Sequence, residues 1–376
     1  MTRPVAETPQ PEFMDRALEI AHGGWGRVSP NPLVGAVIVR GEVIVGEGFH
    51  AEYGGEHAEV MAIRQAGAAA AGSTLYVTLE PCNHHGKTPP CTSSIREAGI
   101  ERVVYAVADP GRVAAGGARE LESAGLKVVG GVRWEEAARL NGPFIWDRQG
   151  RGPWVSLKLG LSLDGRIAAR PGERTDITGP EAASFVHRLR AGHDAIMVGG
   201  RTAVIDDPLL TVRHCSSPRK PPVRVVLDPR LEIDPAGRLA SSIERAPLLV
   251  LCRVDCEAAR RKALEARGAT VAEVRADGTR LDLDSVLREL QARGIRSVLA
   301  EGGGTLAGAL LGACHARRQY LIYAPVIFGP QGVPAFAEGT RTDPDEWRVV
   351  HHDPLGRDAL LELEDLQARE ALRGAA

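Results

Sequence analysis

The chain has 376 residues, more than one ordinary hydrophobic core holds, and this length predicts two domains. Hydrophobic residues make up 44% of the chain and charged residues 25%, as is typical of folded globular proteins. The net charge of −2 argues against a nucleic-acid-binding protein, and no apolar run reaches transmembrane length. The polar, proline-rich residues 1–11 lack the apolar core of a signal peptide, so we expect a cytoplasmic protein.

Hydrophobic periodicity in the first part of the chain predicts helices that alternate with strands. An amphipathic helix is expected at 13–23, a hairpin at 34–45 and a helix at 57–71. The segments predicted after these are strands at 74–79, 103–107 and 127–129 and helical segments at 93–98 and 121–124. This alternation is typical of an α/β sandwich.

A stretch rich in glycine and proline at 141–153 predicts a domain junction, which we place between residues 150 and 151. The two predicted domains are therefore 1–150 and 151–376. The α/β alternation then restarts. Its predicted strands are 154–161, 195–198, 223–227, 248–252, 297–300 and 320–327, and its predicted helices are 180–190, 256–267, 283–292 and 305–313.

His57, Glu59, Cys82 and Cys91 form the most informative pattern in the chain. One imidazole and two thiolates suit Zn²⁺ and leave a tetrahedral position for water, whose pKa the metal lowers to about 7. Glu59 lies two residues from His57, close enough to move protons. His-x-Glu followed by Pro-Cys and a second Cys is typical of zinc nucleobase deaminases. Cys91 is predicted at a helix N-terminus and His57 in the first turn of another helix, where the positive helix ends favour thiolate.

Eight residues, 83–90, separate the two cysteines, so they must form a loop that returns to the metal. The histidines and the lysine of this loop could hold an anionic substrate. Alternatively, His84 or His85 is a fourth ligand and the zinc is structural. Two other hypotheses are a metal-stabilised scaffold that catalyses no reaction and an enzyme that modifies bases in nucleic acids. The presence of Glu59 argues against the first, and the near-neutral charge argues against the second.

A second candidate site lies at 298–308, where a strand, a glycine turn and a helix follow one another. Bare backbone amides and a helix N-terminus suit a dinucleotide pyrophosphate, although the segment lacks the Gly-x-Gly-x-x-Gly fingerprint. A tight structural turn explains the same glycines. Arg190 and Arg213 could clamp a phosphate, or could be ordinary solvated arginines.

Together these segments resemble one family over nearly the whole chain, the bifunctional riboflavin-biosynthesis deaminase/reductases. The motifs that carry the resemblance are Asn31-Pro32-Leu33-Val34-Gly35, His57-Ala58-Glu59-Val60, Leu79-Glu80-Pro81-Cys82 through Cys91, Ser162-Leu163-Asp164-Gly165, Asp206-Asp207-Pro208-Leu209-Leu210-Thr211 and Glu301-Gly302-Gly303-Gly304-Thr305-Leu306. The long insert between the cysteines is specific to this family among deaminases.

The resemblance implies an N-terminal cytidine-deaminase-like α/β/α sandwich. This domain would act on a diaminopyrimidinone that carries ribosylamine 5-phosphate, with zinc held by His57, Cys82 and Cys91 and with Glu59 transferring protons. The positions that match substrate contacts of the family are Asn31, His50, His84, Lys87 and Asp109.

The resemblance also implies a C-terminal dihydrofolate-reductase-like α/β domain that uses NADPH to reduce the ribosyl group to ribityl. Positions on the cofactor side are Leu161, Thr202, Asp206, Gly303, Gly304, Thr305, Leu306, Ala307, Gly308 and Ala309. Positions on the substrate side are Arg190, Leu210, Arg213 and Glu301. The partners expected are a phosphorylated pyrimidine substrate and further copies of the chain in a homo-oligomer, with no nucleic acid and no membrane.

Three positions depart from the family pattern. Gly111 follows Asp109-Pro110 where asparagine is usual, Arg174-Thr175-Asp176 replaces a Ser-x-Trp segment, and Pro229 stands where a hydroxyl residue is common. The last two departures favour the alternative of a deaminase with an impaired reductase half. Cys252 and Cys256, four residues apart, are interpreted as free thiols.

Overall fold

The structure is a computed structural model and describes residues 8–84, 89–111, 116–337 and 340–373. The chain separates into two compact units between Arg151 and Gly152, and residues 370–373 cluster with the first unit. No helix in the described part of the chain is long and apolar enough to cross a bilayer.

The first unit is a five-stranded sheet with helices. Its strands are β1 Gly35–Arg40, β2 Val43–Phe49, β3 Thr74–Leu79, β4 Arg102–Val107 and β5 Lys127–Val129, and its helices are α1 Pro11–Ala21, α2 Ala58–Ala66, α3 Cys91–Glu97, α4 Gly117–Ser123, α5 Trp134–Leu140 and α6 Gly142–Arg148. The strand order is β2-β1-β3-β4-β5. The first three strands of this order are antiparallel, whereas β3, β4 and β5 are parallel.

Glycines let two helices lie close to opposite faces of this sheet. A Cβ on Gly35 of β1 would lie 2.0 Å from the Ala17 carbonyl oxygen of α1. A Cβ on Gly48 of β2 would lie 2.4 Å from the Ala58 carbonyl oxygen of α2. Gly48 pairs with Ala36, the neighbour of Gly35, so Gly35 and Gly48 face opposite sides of the pleat. The helices therefore cover both faces, as expected of an α/β/α sandwich.

Helix α5 was not predicted from the sequence, and two other helices of the first unit depart clearly from the prediction. The helix predicted at 57–71 ends at Ala66, because Gly67 has φ +54°, and continues only as a 3₁₀ turn. The glycine- and proline-rich stretch predicted as a junction contains α6, whose first turn includes Pro143. Proline is favourable there because the first helical N–H groups have no partner in the helix.

The second unit has a nine-stranded sheet. The strands, including short ones outside this sheet, are β6 Trp154–Ser162, β7 Arg166–Ala168, β8 Ala195–Gly199, β9 Val223–Leu227, β10 Leu248–Cys252, β11 Thr270–Glu273, β12 Ala276–Asp277, β13 Arg280–Leu281, β14 Ser297–Glu301, β15 Ala316–Ala324, β16 Val333–Pro334, β17 Trp347–Leu355 and β18 Asp358–Asp365. The helices are α7 Pro180–Ala191, α8 Gly200–Asp206, α9 Ala258–Glu265, α10 Leu283–Ala292, α11 Gly304–Gly312 and α12 Leu366–Arg373, the last of which begins in this unit.

The strand order of the large sheet is β11-β10-β9-β8-β14-β6-β15-β18-β17. All neighbours from β11 to β15 are parallel, and β18 and β17 add an antiparallel hairpin. From β8 the chain moves outward to β11, and β14 later inserts between β8 and β6. Ligands of open α/β sheets bind at the carboxyl ends of the strands, at the point where the strand order reverses. A ligand is therefore expected at the carboxyl ends of β8, β14 and β6.

The sequence placed one strand of this unit four residues too late and missed the short strands β7, β11, β12, β13 and β16 as well as the hairpin of β17 and β18. β15 begins at Ala316 rather than residue 320 and includes Arg318, which is buried against Glu364 of β18. From the sequence alone, the charged residues at the start of β15 are typical of a loop. The pairing of Arg318 with Glu364 explains them within a strand. β17 and β18 were not predicted, because most of β17 is exposed and lacks alternating apolar residues.

Candidate active sites

The three predicted zinc ligands converge in the first unit. His57 is the residue before α2, Cys82 follows β3, and Cys91 is the first residue of α3. The helix start predicted at Cys91 is found, whereas His57 has extended backbone and precedes its helix instead of lying in the first turn. Both cysteines are buried, and His57 is half-buried.

The donor atoms of this cluster have the spacing that zinc needs. His57 Nδ1 lies 3.1 Å from Cys91 Sγ and 3.5 Å from Cys82 Sγ. All three donor atoms lie within 4.8 Å of one another. Metal–ligand bonds of about 2.0–2.3 Å in a tetrahedron keep the ligand atoms roughly 3.5 Å apart. The donor set and its geometry therefore fit Zn²⁺.

The ionisable groups at this cluster have shifted pKa values, and the two cysteines shift in opposite directions. The Cys91 thiol hydrogen-bonds to Cys82 and lowers the pKa of Cys82 to about 4. The same hydrogen bond, together with burial, raises the pKa of Cys91. Glu59 is 4% exposed, and its burial raises the pKa of its carboxyl group. Burial thus favours the protonated form of Glu59 more than water does, as suits an acid that passes a proton on.

Two predicted substrate contacts, Asn31 and His50, are hydrogen-bonded to each other. His50 Nδ1 lies 2.9 Å from the Glu56 carbonyl oxygen, so this nitrogen donates and Nε2 accepts from Asn31 Nδ2 at 3.0 Å. Burial lowers the pKa of His50, and the imidazole is therefore neutral at pH 7. The ring centroids of His50 and His57 are 5.8 Å apart, so this pair borders the metal cluster.

The insert between the cysteines is only partly described. His84 is half-buried, is not among the converging metal donors, and its buried Nδ1 has no hydrogen-bond partner within the described residues. Lys87, a predicted substrate contact, and His85, a possible fourth ligand, lie outside the described residues. Asp109 is half-buried beyond the end of β4, and its Oδ1 accepts from the Gly111 N–H at 2.7 Å.

In the second unit, Glu301 and Arg190 form a close ion pair at the carboxyl end of β14. Arg190 Nε and Nη2 donate to the two Glu301 carboxylate oxygens at 2.6 and 2.8 Å, and Nη1 donates to the Thr211 carbonyl oxygen. Lys158 of β6 is the partner of Glu301 in the sheet. Burial raises the pKa of Glu301, but the charges of Arg190 and Lys158 outweigh it and the net pKa is lowered.

Arg213 and Leu210 lie next to this pair. Arg213 Nη1 donates to Thr211 Oγ1 at 2.6 Å, and its backbone N–H donates to His187 Nδ1 at 3.1 Å. Leu210 is buried with φ +50°. Burial and the charges of Arg190 and Arg213 lower the pKa of His187 to about 4. The surroundings of Arg213 are therefore strongly positive, as an anion-binding region requires.

The predicted cofactor residues divide into backbone and side-chain positions. Gly302 and Gly303 have φ +70° and +82°, and a Cβ on Gly303 would lie 2.7 Å from Thr202 Oγ1. Gly304 and Gly308 instead make room for the chain itself, since their Cβ atoms would meet the Pro334 carbonyl oxygen and Thr340 Oγ1. The buried members of the set are Leu161, Gly304, Leu306, Ala307 and Gly308, whereas Thr202, Asp206, Gly303 and Ala309 are half-buried and Thr305 is exposed.

Comparison with known proteins connects both units to one family. Residues 8–107 match the cytidine and deoxycytidylate deaminase zinc-binding region, and residues 153–361 match the RibD C-terminal domain. The riboflavin biosynthesis protein RibD of Bacillus amyloliquefaciens is 38% identical over 328 residues, which cover 87% of each chain. The protein of the same name from Mycobacterium tuberculosis is 39% identical over 361 residues, 94% of this chain and 96% of the other.

Solved structures give the same result. RibD of Acinetobacter baumannii superposes with a TM-score of 0.79 at 34% identity and covers 94% of this chain and 98% of that one. A Thermotoga maritima diaminohydroxyphosphoribosylaminopyrimidine deaminase/5-amino-6-(5-phosphoribosylamino)uracil reductase gives a TM-score of 0.80 at 36% identity, with the same coverage. The chain belongs to the RibD family of riboflavin biosynthesis proteins. It is a bifunctional deaminase/reductase, and the fold class expected for each half is confirmed.

Membership in this family brings two cofactors, zinc for the deaminase and NADPH for the reductase, as expected from the sequence. The His/Cys/Cys donor set fits the zinc, as its spacing indicates. The turn at Gly302 and Gly303 fits a dinucleotide, because bare backbone at the start of α11 admits close approach of phosphate.

Two residues with clear structural roles were not predicted as site residues, although Glu80 lies within a family motif and Lys158 lies four residues before another. Glu80, next to Pro81 and Cys82, is buried and accepts backbone N–H groups of Asp109, Gly116 and Ala118 at 2.9–3.2 Å. It thereby ties the Cys82 segment to the loop that carries Asp109. Lys158 lies in the strand that leads into Ser162-Leu163-Asp164-Gly165 and faces the Glu301 carboxylate, and burial lowers its pKa. The sequence did contain a signal for each residue: Glu80 is an acidic residue directly before Pro-Cys, and Lys158 is a lysine within an apolar strand.

The positions that depart from the family pattern are held by local contacts. Asp176 is exposed and pairs with Arg174 at 2.9 Å. The Pro229 carbonyl oxygen accepts from the Arg253 N–H at 3.2 Å. Gly111 is bonded to Asp109, as described above. None of these contacts involves the Arg190–Glu301 pair or the glycine turn.

Proposed function

We propose that the chain catalyses two successive steps of riboflavin biosynthesis on one phosphorylated pyrimidine. In the first, water replaces an amino group on the ring of a diaminopyrimidinone that carries ribosylamine 5-phosphate. In the second, the ribosyl group is reduced to ribityl. The observation that carries the proposal is the convergence of His57, Cys82 and Cys91 beside buried Glu59 in a chain that also has the reductase domain.

The deamination is a hydrolysis in which a water oxygen bonds to the ring carbon, the carbon–nitrogen bond breaks and ammonia leaves. Zinc, when bound, makes hydroxide available at neutral pH. The Glu59 carboxylate accepts the proton of the water and delivers it to the departing amine. His57, Cys82 and Cys91 hold the metal. Neutral His50 is bonded through both ring nitrogens and fixes Asn31, whose amide oxygen and second N–H bond to the pyrimidine beside the His50 ring.

The remaining predicted contacts of the deaminase complete this proposal. Asp109 reaches the substrate from the loop that Glu80 fixes. His84 and Lys87 contact it from the insert between the cysteines. The buried Nδ1 of His84, which has no partner among the described residues, supports this assignment, because a buried ring nitrogen gains stability from a hydrogen-bond partner.

In the reductase, NADPH supplies the hydride for the sugar carbon next to nitrogen. The protein positions the two reactants. Arg213, in its positive surroundings, contacts the substrate phosphate, while Arg190 is bonded to Glu301 and orients that carboxylate toward the sugar. Leu210 borders the same side. The cofactor side comprises Leu161, Thr202, Asp206, Gly303, Gly304, Thr305, Leu306, Ala307, Gly308 and Ala309, the buried ones acting through backbone.

We assign the deaminase to residues 1–150 and the reductase to residues 151–376. The match of the RibD C-terminal domain from residue 153 supports this boundary. The family resemblance supports two further predictions, a homo-oligomer and a cytoplasmic location. Light scattering of the purified chain tests the first, and fractionation of cells tests the second.

The decisive experiment is an assay of the zinc-loaded full chain with the diaminopyrimidinone phosphate. We expect ammonia release without NADPH and, after NADPH is added, loss of absorbance at the nicotinamide band. Ammonia without any NADPH oxidation would instead support the alternative of an impaired reductase, in line with Asp176 and Pro229. Absence of both signals from metal-replete protein would contradict the proposed function.

A further inference from the structure

Two thiols of the second unit, outside both proposed sites, lie close together. Cys252 is the last residue of β10, and Cys256 lies two residues before α9. Their sulfur atoms are 3.3 Å apart. A disulfide bond is about 2.05 Å long, so its formation needs an approach of roughly 1.2 Å.

The backbone already brings these residues together without the bond. Cys252 pairs with Glu273 of β11, which fixes it in the sheet. The Cys256 N–H donates to the Arg253 carbonyl oxygen at 3.2 Å and closes a tight turn. Arg253 and Asp255 form an ion pair across the same turn. The thiols are therefore held as neighbours by contacts that persist whether or not they are oxidised.

The two thiols differ in exposure. Cys252 is fully buried, whereas Cys256 is half-buried at the edge of the core. Burial raises the pKa of Cys252 to about 12, so this thiol stays protonated at neutral pH. An oxidant from solvent reaches Cys256 first, and Cys252 is in place to react with the product.

We propose that Cys252 and Cys256 form a reversible dithiol–disulfide site that is oxidised by hydroperoxides. The Cys256 sulfur attacks one peroxide oxygen, the O–O bond breaks, and the other oxygen leaves as an alcohol or water after taking up a proton. The Cys252 thiol then attacks the sulfenic sulfur of Cys256 and forms the S–S bond, while its proton leaves together with the sulfenic hydroxyl as water. Two electrons pass from the sulfur pair to the peroxide, and a thiol reductant reverses the change.

The site is directly bonded to the loop that follows β9. The Arg253 N–H donates to the Pro229 carbonyl oxygen, and Arg260 Nη1 donates to the Leu231 carbonyl oxygen at 3.3 Å. The turn that the disulfide would close is thus continuous with the carboxyl edge of the large sheet. Disulfides of this kind in cytosolic proteins are transient and sense redox state rather than stabilise the fold.

The test uses the zinc-loaded full chain treated with hydrogen peroxide, alkylated, denatured and digested with trypsin. Cleavage after Arg245, Arg253 and Arg260 places the two cysteines in separate peptides. We expect a linked pair of these peptides whose mass is two hydrogens below their sum, loss of their alkylated forms, and recovery of those forms after treatment with a reductant. Alkylation of both residues after peroxide treatment, under conditions that oxidise exposed Cys314, would overturn the proposal.

Single substitutions check the order of the two steps. Cys256→Ser should abolish the linked peptides, and Cys252→Ser should leave a sulfenic acid on Cys256 that dimedone traps. Cys314→Ser, the matched control at an exposed thiol, should leave the link unchanged. A link from Cys256 to another cysteine in wild-type protein, or dimedone on Cys252 in Cys256→Ser, would contradict the proposed pairing or its order.

Discussion

The first unit gathers two thiols and a carboxylate around one point, whereas the second gathers arginines around one carboxylate. In the first, Cys82, Cys91 and Glu59 are proton-binding groups whose surroundings suit a cation. In the second, burial and the charges of Arg190 and Arg213 together lower the pKa of His187 to about 4, and these charges suit an anion. One chain thus carries two candidate sites of opposite electrostatic character, one suited to a cation and the other to an anion.

The two sites also differ in how they are built. The metal donors come from a segment of 35 residues, His57 to Cys91, and two of them adjoin helix starts. The reductase groups come from the ends of separate strands and helices between Lys158 and Glu301. Damage to one site is therefore expected to leave the other active, and the predictions below test that independence.

Removal of zinc should have the largest effect and should act on one activity only. A chelator that strips the His57, Cys82 and Cys91 cluster should abolish ammonia release, because hydroxide is no longer supplied at neutral pH. NADPH oxidation with the deaminated intermediate should be unchanged. Assays of both activities before and after chelation, with zinc added back as the control, measure this. An equal fall in both activities would show that the two sites depend on one another.

Glu59→Gln should remove deamination without removing the metal. The amide has the size of the carboxylate but cannot accept the water proton, so we expect a fall in turnover of about 10²–10⁴-fold. Zinc content, measured on the same sample, should not change. Glu52→Gln, an exposed carboxylate paired with Arg27, is the matched control and should retain full turnover. Normal ammonia release by Glu59→Gln would exclude proton transfer by this residue.

The same contrast explains what could be predicted from the sequence. Zinc accepts few residue types, so the His-x-Glu and Pro-Cys pattern was sufficient to identify the metal cluster and the helix that begins at Cys91. In the reductase, Arg190 was predicted on the substrate side, and its ion pair with Glu301 was not predicted. Sequence spacing carries no information about such a long-range pair.

Elements held by long-range contacts were also the ones missed. The start of β15 depends on Arg318 meeting Glu364 of β18, a residue 46 positions away. Helix α6 was not predicted, because Gly142 and Pro143 are typical of a linker. Proline is nevertheless favourable in the first turn of a helix, where it lies here. Where one strand face is apolar, as in β3, the predicted bounds match the structure at both ends.

Gly303→Ala should weaken NADPH binding and leave deamination intact. The new Cβ would lie 2.7 Å from Thr202 Oγ1 at a φ of +82°, so the turn must shift. A conformational cost of about 1–2 kcal/mol corresponds to a roughly tenfold rise in the Kd for NADPH. Gly172→Ala has a similar φ of +80° but open space, and it is the matched control. Fluorescence titration with NADPH measures both variants, and equal Kd values would remove this turn from the cofactor site.

The smallest expected effect is a pH dependence of stability that arises in the second unit. The pKa of His187 is lowered to about 4 by burial and by the charges of Arg190 and Arg213, whereas in the unfolded chain it is about 6.5. Between these values the unfolded state binds one more proton, so the free energy of unfolding falls as the pH falls. The contribution of this group is about 1.4 kcal/mol per pH unit.

Replacement of the imidazole isolates that contribution. His187→Asn keeps an acceptor for the Arg213 N–H but does not titrate. Between pH 7 and pH 5 it should therefore lose less stability than the wild type, by about 1–2 kcal/mol. Urea denaturation at both pH values measures the difference, with His352→Asn on the exposed hairpin as the control. An unchanged difference would mean that the region around Arg213 is less positive than its contacts indicate, and the case for a phosphate there would weaken with it.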